Sequence, residues 1–111
     1  MIKDYIHKDL AAGRWFELTL AEQLGNIGSE YYRATKAKTI NNGDRYNSAC
    51  DRTMELTELT LSDKRWHNTP ALKELCRMKE QLAYFLYDQQ QPDLGLQKYF
   101  DGFAVLARKD D

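Results

Sequence analysis

The chain has 111 residues, of which 42% are hydrophobic and 30% are charged, with 16 basic and 17 acidic side chains. This length and balance predict one folded domain over residues 1–111, and they exclude a disordered chain and a chain with two hydrophobic cores. The formal charge of -1 excludes an overall positive potential that would attract nucleic acid or an anionic membrane. Binding of that kind therefore requires a local cluster of positive charge.

Residues 1–18 are predicted to form a short helical arm. Its amphipathic part covers residues 1–13, with Tyr5, Ile6 and Leu10 as the apolar positions, and ends at Gly13. This stretch has no apolar run that would form a signal peptide or a membrane span. We therefore expect a cytoplasmic protein with no membrane partner.

The first long helix is predicted over residues 20–38. Thr19 and Glu22 have the spacing of a capping box, which satisfies backbone donors of the first turn. The apolar face consists of Leu20, Leu24, Ile27, Tyr31 and Ala34. Gly25 and Gly28 lie on a small-residue stripe beside it, and a glycine inside a helix costs about 1 kcal/mol relative to alanine. Another part of the molecule is therefore expected to approach this backbone closely.

Three more helices are predicted over residues 44–61, 70–88 and 94–108. Thr69 and Pro70 have the pattern of a cap followed by proline at the first helical position, and Asp93 can cap the last helix. Connectors of a few residues favour antiparallel neighbours. The sequence therefore predicts an all-α fold, an antiparallel four-helix bundle with a short N-terminal helical arm.

The two cysteines, Cys50 and Cys76, lie inside helical patterns. A free cysteine behaves as a small hydrophobic residue, and this chain is not the short, loop-rich kind that disulfides stabilise. We expect both to be reduced and buried, rather than joined in a disulfide or bound to a metal.

Polar residues of the first helix could serve the fold or a ligand. Gln23, Asn26 and Glu30 share a flank of the apolar stripe, and a buried amide on this flank could pair with Thr53 or Thr57 across the bundle. A buried amide commonly specifies helix register. The alternative is a ligand-binding role for the same flank.

Catalytic chemistry has weaker support. A di-metal site in a bundle normally needs inward glutamates and a Glu-x-x-His pair, and neither histidine follows a glutamate at that interval. The sequence therefore predicts a non-enzyme with no metal, cofactor or catalytic residue. The alternative is a small-ligand or metal-dependent helical-bundle enzyme. Its candidate residues are Glu22, Asn26, Glu30, Glu55 and Glu58.

Basic residues fall into two groups with aromatic neighbours, and both are candidates for nucleic-acid contact. They are Arg33, Lys36 and Lys38 in the first group, and Lys64, Arg65, Lys73 and Arg77 in the second. The end of the first helix and the connector before the third should lie at opposite poles of the bundle, which separates the groups. Cations beside aromatic rings can bind phosphates and stack on bases, although a solvated helix face is the common alternative.

The run Arg-Trp-Phe at residues 14–16, continuing as Leu-Ala-Glu-Gln-Leu-Gly-Asn-Ile-Gly-Ser-Glu at 20–30, resembles a family of short bacterial helical proteins. Residues 55–60, 65–66 and 97–103 extend the likeness over most of the chain. The resemblance implies an association with diversity-generating retroelements, whose reverse transcriptases work with a four-helix-bundle accessory variability protein. That protein is a homo-oligomeric barrel that binds the reverse transcriptase and nucleic acid. The near-neutral charge of this chain departs from it and favours protein–protein assembly.

The sequence thus predicts a non-enzymatic accessory or assembly subunit, with a reverse transcriptase and its RNA as the implied partners. Aromatic residues are enriched in interface hot spots. The predicted partner surface consists of Trp15, Phe16, Tyr31, Tyr32 and Trp66. Core packing is the alternative for each of them. A monomer and a homo-oligomer both fit the small-residue stripe.

Overall fold

The computed structural model describes residues 13–109, and the helices in this range confirm the all-α fold. The four α-helices are α1 (Leu20–Thr39), α2 (Gly43–Ser62), α3 (Ala71–Ala83) and α4 (Leu94–Lys109). Short 3-10 turns at Arg14–Glu17 and Lys64–Trp66 precede α1 and α3. Most of the predicted N-terminal arm lies outside the described residues. Within residues 13–109, no helix is both long enough and apolar enough to cross a bilayer.

Side chains cap three of the helices. The predicted capping box of α1 is confirmed: Thr19 Oγ1 accepts from the Glu22 backbone N at 3.1 Å, and Glu22 Oε1 accepts from the Thr19 backbone N at 2.9 Å. Asn42 Oδ1 accepts from the Arg45 backbone N at the start of α2. Asp93 Oδ2 accepts from the Leu96 backbone N at 3.0 Å, as predicted for α4.

The predicted cap at Thr69 is wrong. Its hydroxyl donates to the carbonyl of Trp66 at 2.7 Å and therefore ends the preceding turn instead of capping α3. Pro70 already has helical angles, φ -57° and ψ -21°, and α3 begins at Ala71. Proline has no backbone N–H, so this start leaves one fewer donor without a partner.

Helix α1 is the centre of the bundle and packs against both α2 and α4, while α3 packs against α2. Cross-helix contacts show that neighbours run antiparallel: Arg52 of α2 pairs with Glu30 of α1, whereas Asp63, just beyond the end of α2, bonds Gln23 near the start of α1. The largest fully buried apolar side chains are Trp15, Leu24, Ile27, Tyr31, Leu75, Leu82, Leu86 and Phe100.

The contact between α1 and α4 explains the two helical glycines. A Cβ added to Gly28 would lie 2.3 Å from Cβ of Phe100, and one added to Gly25 would lie 3.1 Å from Cα of Ala104. Gln97 Nε2 of α4 also donates to the carbonyl of Gly28 at 3.2 Å. The predicted close approach at these glycines is therefore confirmed, and the approaching element is α4.

The third helix ends in a π turn, Tyr84–Asp88, where the sequence predicted an ordinary helix to residue 88. The backbone N of Gln89 bonds the carbonyl of Tyr84, five residues earlier, which widens the turn. Tyr46 of α2 donates its hydroxyl hydrogen to the carbonyl of Leu86 at 2.7 Å. That bond fixes the π turn against α2.

Burial differs between the two cysteines. Cys50 is buried as predicted, and desolvation raises the pKa of its thiol. Cys76 is exposed, so the prediction of burial is wrong for this residue. The buried positions of α3 are Leu75, Met78 and Leu82, and the residue after Leu75 is turned about 100° away from that face.

Candidate functional site

Four cationic side chains of α1 and α2 line a surface groove of about 590 Å³. Arg33 and Lys36 come from α1, and Arg45 and Arg52 come from α2. Tyr32, Ala37 and Ile40 complete the lining, and none of the described residues that line it is acidic. We call this surface the basic groove.

Helix geometry brings these side chains together. Arg33 and Lys36 are three residues apart and therefore share a face of α1. Arg45 and Arg52 are seven residues apart, which places them about 10 Å from each other along α2. The short connector between α1 and α2 makes the two helices antiparallel neighbours, so the two pairs face one groove.

A buried carboxylate fixes the inner part of the basic groove. Glu30, 7% exposed, accepts from Arg33 Nη1 through one oxygen and from Arg52 Nε through the other, the latter at 2.8 Å. Glu30 thereby joins α1 to α2 and holds two guanidinium groups in place. The groove thus holds four cations against this one carboxylate, and Lys36 and Arg45 are the two that do not bind it.

Two large hydrophobic side chains border the cations. Tyr32 is 51% exposed and Ile40 is 59% exposed. The Nζ atom of Lys36 lies 5.8 Å from the centroid of the Tyr32 ring, within the range of a cation–π contact. The basic groove therefore presents a half-exposed aromatic residue and an exposed aliphatic residue beside its cations.

The predicted basic residues separate into different places. Arg33 and Lys36 line the basic groove, while Lys38 lies outside it, with Nζ 5.1 Å from the ring centroid of Tyr46. Lys73 and Arg77 line a second groove of about 610 Å³ between α3 and α4, whose lining also includes two acidic residues, Glu74 and Asp93. Lys64 is exposed on the turn that precedes α3. Of the predicted basic residues, only Arg33 and Lys36 thus lie in the basic groove.

Two of the five predicted partner-binding aromatics have no exposed surface. Trp15 is buried and donates from Nε1 to Thr60 Oγ1 at 3.0 Å. Tyr31 is buried and exchanges two hydrogen bonds with the backbone of Asp93, and burial raises the pKa of its phenol to about 12. These two residues stabilise the core and cannot contact a partner while the fold is intact.

The other three aromatics differ in exposure. Phe16 and Trp66 are partly buried and pack against the core, whereas Tyr32 is exposed. Tyr32 is therefore the exposed member of the five predicted aromatic residues.

Sequence reasoning missed a buried polar network centred on Asp63, which is 3% exposed in the α2–α3 connector. Gln23 Nε2 donates to Asp63 Oδ2 at 3.0 Å and to the carbonyl of Trp15 at 2.9 Å, and Gln23 Oε1 accepts from Trp66 Nε1 at 2.9 Å. Arg65 donates to Asp63 and, through Nη2, to the carbonyl of Leu18 at 2.6 Å. We call these residues (Gln23, Asp63, Arg65 and Trp66) the Asp63 network.

The Asp63 network gives structural roles to Arg65, which was predicted to contact nucleic acid, and to Trp66, which was predicted to contact a protein partner. Burial alone would raise the pKa of Asp63, but hydrogen bonds from Arg65 and Gln23 outweigh it and hold the pKa below its usual value. Arg65 is therefore engaged with an ionised carboxylate inside the protein. The predicted pairing of Gln23 with Thr53 or Thr57 is wrong, because the Gln23 amide bonds Trp15, Asp63 and Trp66 instead.

The residues of the alternative enzyme are not gathered into one site. Glu22 caps α1, Asn26 donates to the carbonyl of Glu22, and Glu30 binds two arginines. Glu58 pairs with Lys79 at 4.0 Å, and Glu55 is buried. Within residues 13–109, no group of three or more histidine, cysteine or acidic side chains is placed to hold a metal ion.

The chain was also compared with known proteins. No protein-family model matches it, and no curated protein or solved structure is similar enough to match.

Proposed function

We propose that this protein is a non-enzymatic accessory subunit that binds nucleic acid through its basic groove within a larger protein assembly. The observation that carries the proposal is the convergence of Arg33, Lys36, Arg45 and Arg52 on one groove, with no acidic residue among the described residues of its lining. The chain as a whole is nearly neutral, with a formal charge of -1, but four of its cations lie close together in this groove. A local cluster of positive charge attracts a polyanion.

The state of these cations supports phosphate binding. In the described part of the chain, neither Lys36 nor Arg45 forms an ion pair, so both are available to a ligand. Arg52 uses Nε for Glu30, and no hydrogen bond within residues 13–109 engages its terminal nitrogens. Arginine and lysine donors of this kind are the usual partners of backbone phosphates.

The resemblance of residues 14–30 to the bacterial helical family supports a reverse transcriptase of the diversity-generating type as the protein partner to test first. Static light scattering coupled to size-exclusion chromatography should show a defined complex when this protein, such a reverse transcriptase and its template RNA are mixed. A mass that is unchanged by both additions would contradict the accessory role.

A charge-reversal experiment tests the groove itself. The double variant Lys36→Glu/Arg45→Glu should lower affinity for a 12-nucleotide RNA at least tenfold, because two phosphate contacts become repulsive. The slope of log K against log salt should fall by about 1.4 in magnitude, since each phosphate contact to a single strand contributes about 0.7. Fluorescence anisotropy at several salt concentrations measures both quantities.

The matched control is Lys73→Glu/Arg77→Glu on α3. Like the test variant, it replaces one exposed lysine and one exposed arginine with glutamate, so the change in charge is the same. It acts, however, on the second groove, between α3 and α4, which is lined by both basic and acidic residues. We expect a change of less than threefold. Equal losses from the two double variants would mean that RNA responds to net charge alone, which would overturn the assignment of the basic groove.

A further inference from the structure

We infer that the basic groove takes a single strand of nucleic acid in preference to a duplex, with one base stacked on Tyr32 and backbone phosphates on Lys36 and Arg45. This inference rests on the proposed function and adds the class of nucleic acid and the role of the aromatic ring. Tyr32 acts here as a stacking platform.

The exposed aromatic face is the first argument. Tyr32 is 51% exposed and lies among the cations that line the groove. A base can stack on a side chain only when its own faces are uncovered, as they are in a single strand but not inside a duplex. Base–aromatic stacking together with a positively charged groove is the usual combination in proteins that bind single strands.

The second argument is the recessed position of one cation, Arg52. Arg33 and Arg52 are both bound to the buried carboxylate of Glu30, but the side chain of Arg52 is only 30% exposed whereas that of Arg33 is 60% exposed. A thin, flexible strand can follow the groove to this recessed guanidinium. A duplex is a wide rod that would meet the rim of the groove instead.

The third argument is the apolar rim. Ile40 is 59% exposed and lines the same groove as Tyr32. Phosphates gain nothing from an isoleucine side chain, whereas an unstacked base or a sugar can cover it. Tyr32 and Ile40 therefore favour a ligand with exposed apolar surface as well as negative charge.

The test compares wild-type protein with Tyr32→Ala and Tyr32→Phe by fluorescence anisotropy. The probes are a 12-nucleotide single-stranded RNA and the duplex that it forms with its complement. We expect the wild type to bind the single strand at least tenfold more tightly than the duplex. Tyr32→Ala should weaken single-strand binding at least about fivefold and leave duplex binding unchanged, since stacking is sequence-tolerant but needs an open base. Tyr32→Phe keeps the ring and should bind like the wild type.

The outcomes separate this inference from the proposed function. Equal binding of single strand and duplex, or an affinity unchanged by Tyr32→Ala, would overturn the inference and leave nucleic-acid binding intact. Failure of the wild type to bind either probe would overturn the proposed function as well. Tighter binding to poly-glutamate than to RNA would assign the groove to an acidic protein instead. Because Tyr32 is exposed, circular dichroism of the variants should match that of the wild type.

Discussion

Replacing Gln23 with leucine is expected to lower the free energy of unfolding by about 3 kcal/mol or more. The side chain is fully buried and makes three hydrogen bonds, to Trp15, Asp63 and Trp66. Leucine has a similar size but no polar atoms, so the indole N–H of Trp66 would lose its partner. The carbonyl of Trp15 and the carboxylate of Asp63 would each lose one of the hydrogen bonds that they accept. A buried polar group without a partner costs about 1–3 kcal/mol. Urea unfolding followed by circular dichroism measures the change.

The control for this substitution is Gln81→Leu. Gln81 is exposed on α3, and within residues 13–109 its side chain forms no hydrogen bond. The same chemical change should therefore alter the free energy of unfolding by less than about 0.5 kcal/mol. Similar losses in the two variants would mean that the Asp63 network does not stabilise the connector between α2 and α3.

Replacing Gly28 with alanine is expected to destabilise the protein by about 2 kcal/mol, although alanine is the better helix former. The new Cβ would lie 2.3 Å from Cβ of Phe100. Neither atom can turn away, because each is fixed by its own backbone. The strain is relieved only if α4 moves away from α1, which opens the core around the buried Phe100 ring.

The same substitution at Gly102 provides the control. This glycine lies inside α4, and no atom would lie within 4 Å of an added Cβ. Gly102→Ala should therefore raise stability by about 0.5–1 kcal/mol through helix propensity alone. Thermal unfolding of both variants measures the difference, and a stabilised Gly28→Ala protein would contradict the close α1–α4 contact.

Local signals made parts of the fold predictable. The spacing of Thr19 and Glu22 predicts a capping box from groups that lie within one turn, and the structure contains it. Gly25 and Gly28 predict a close approach because each is costly inside a helix. Neither signal identifies the approaching element, which depends on how distant segments pack.

The features that could not be predicted from the sequence depend on contacts between segments that are distant in the chain. Asp63 follows a helix and looks like an ordinary connector residue, and only the folded chain shows that it is buried against Gln23. Arg45 and Arg52 were missed because they are isolated in sequence. The signal that could have identified them is their seven-residue spacing, which places both on one face of the helix next to the one that carries Arg33 and Lys36. Trp15 was assigned to a partner because a large aromatic residue suits a core and an interface equally well.

The pairing of α4 with α1 also has consequences for the order in which the chain folds. Gln97 contacts the carbonyl of Gly28 across 69 residues of sequence, whereas α1 and α2 are joined by a short connector. Closing a long loop costs more entropy than closing a short one, and non-local contacts form late. During synthesis, the glycine face of α1 therefore stays uncovered after α2 and α3 have left the ribosome, until Phe100 emerges to cover it.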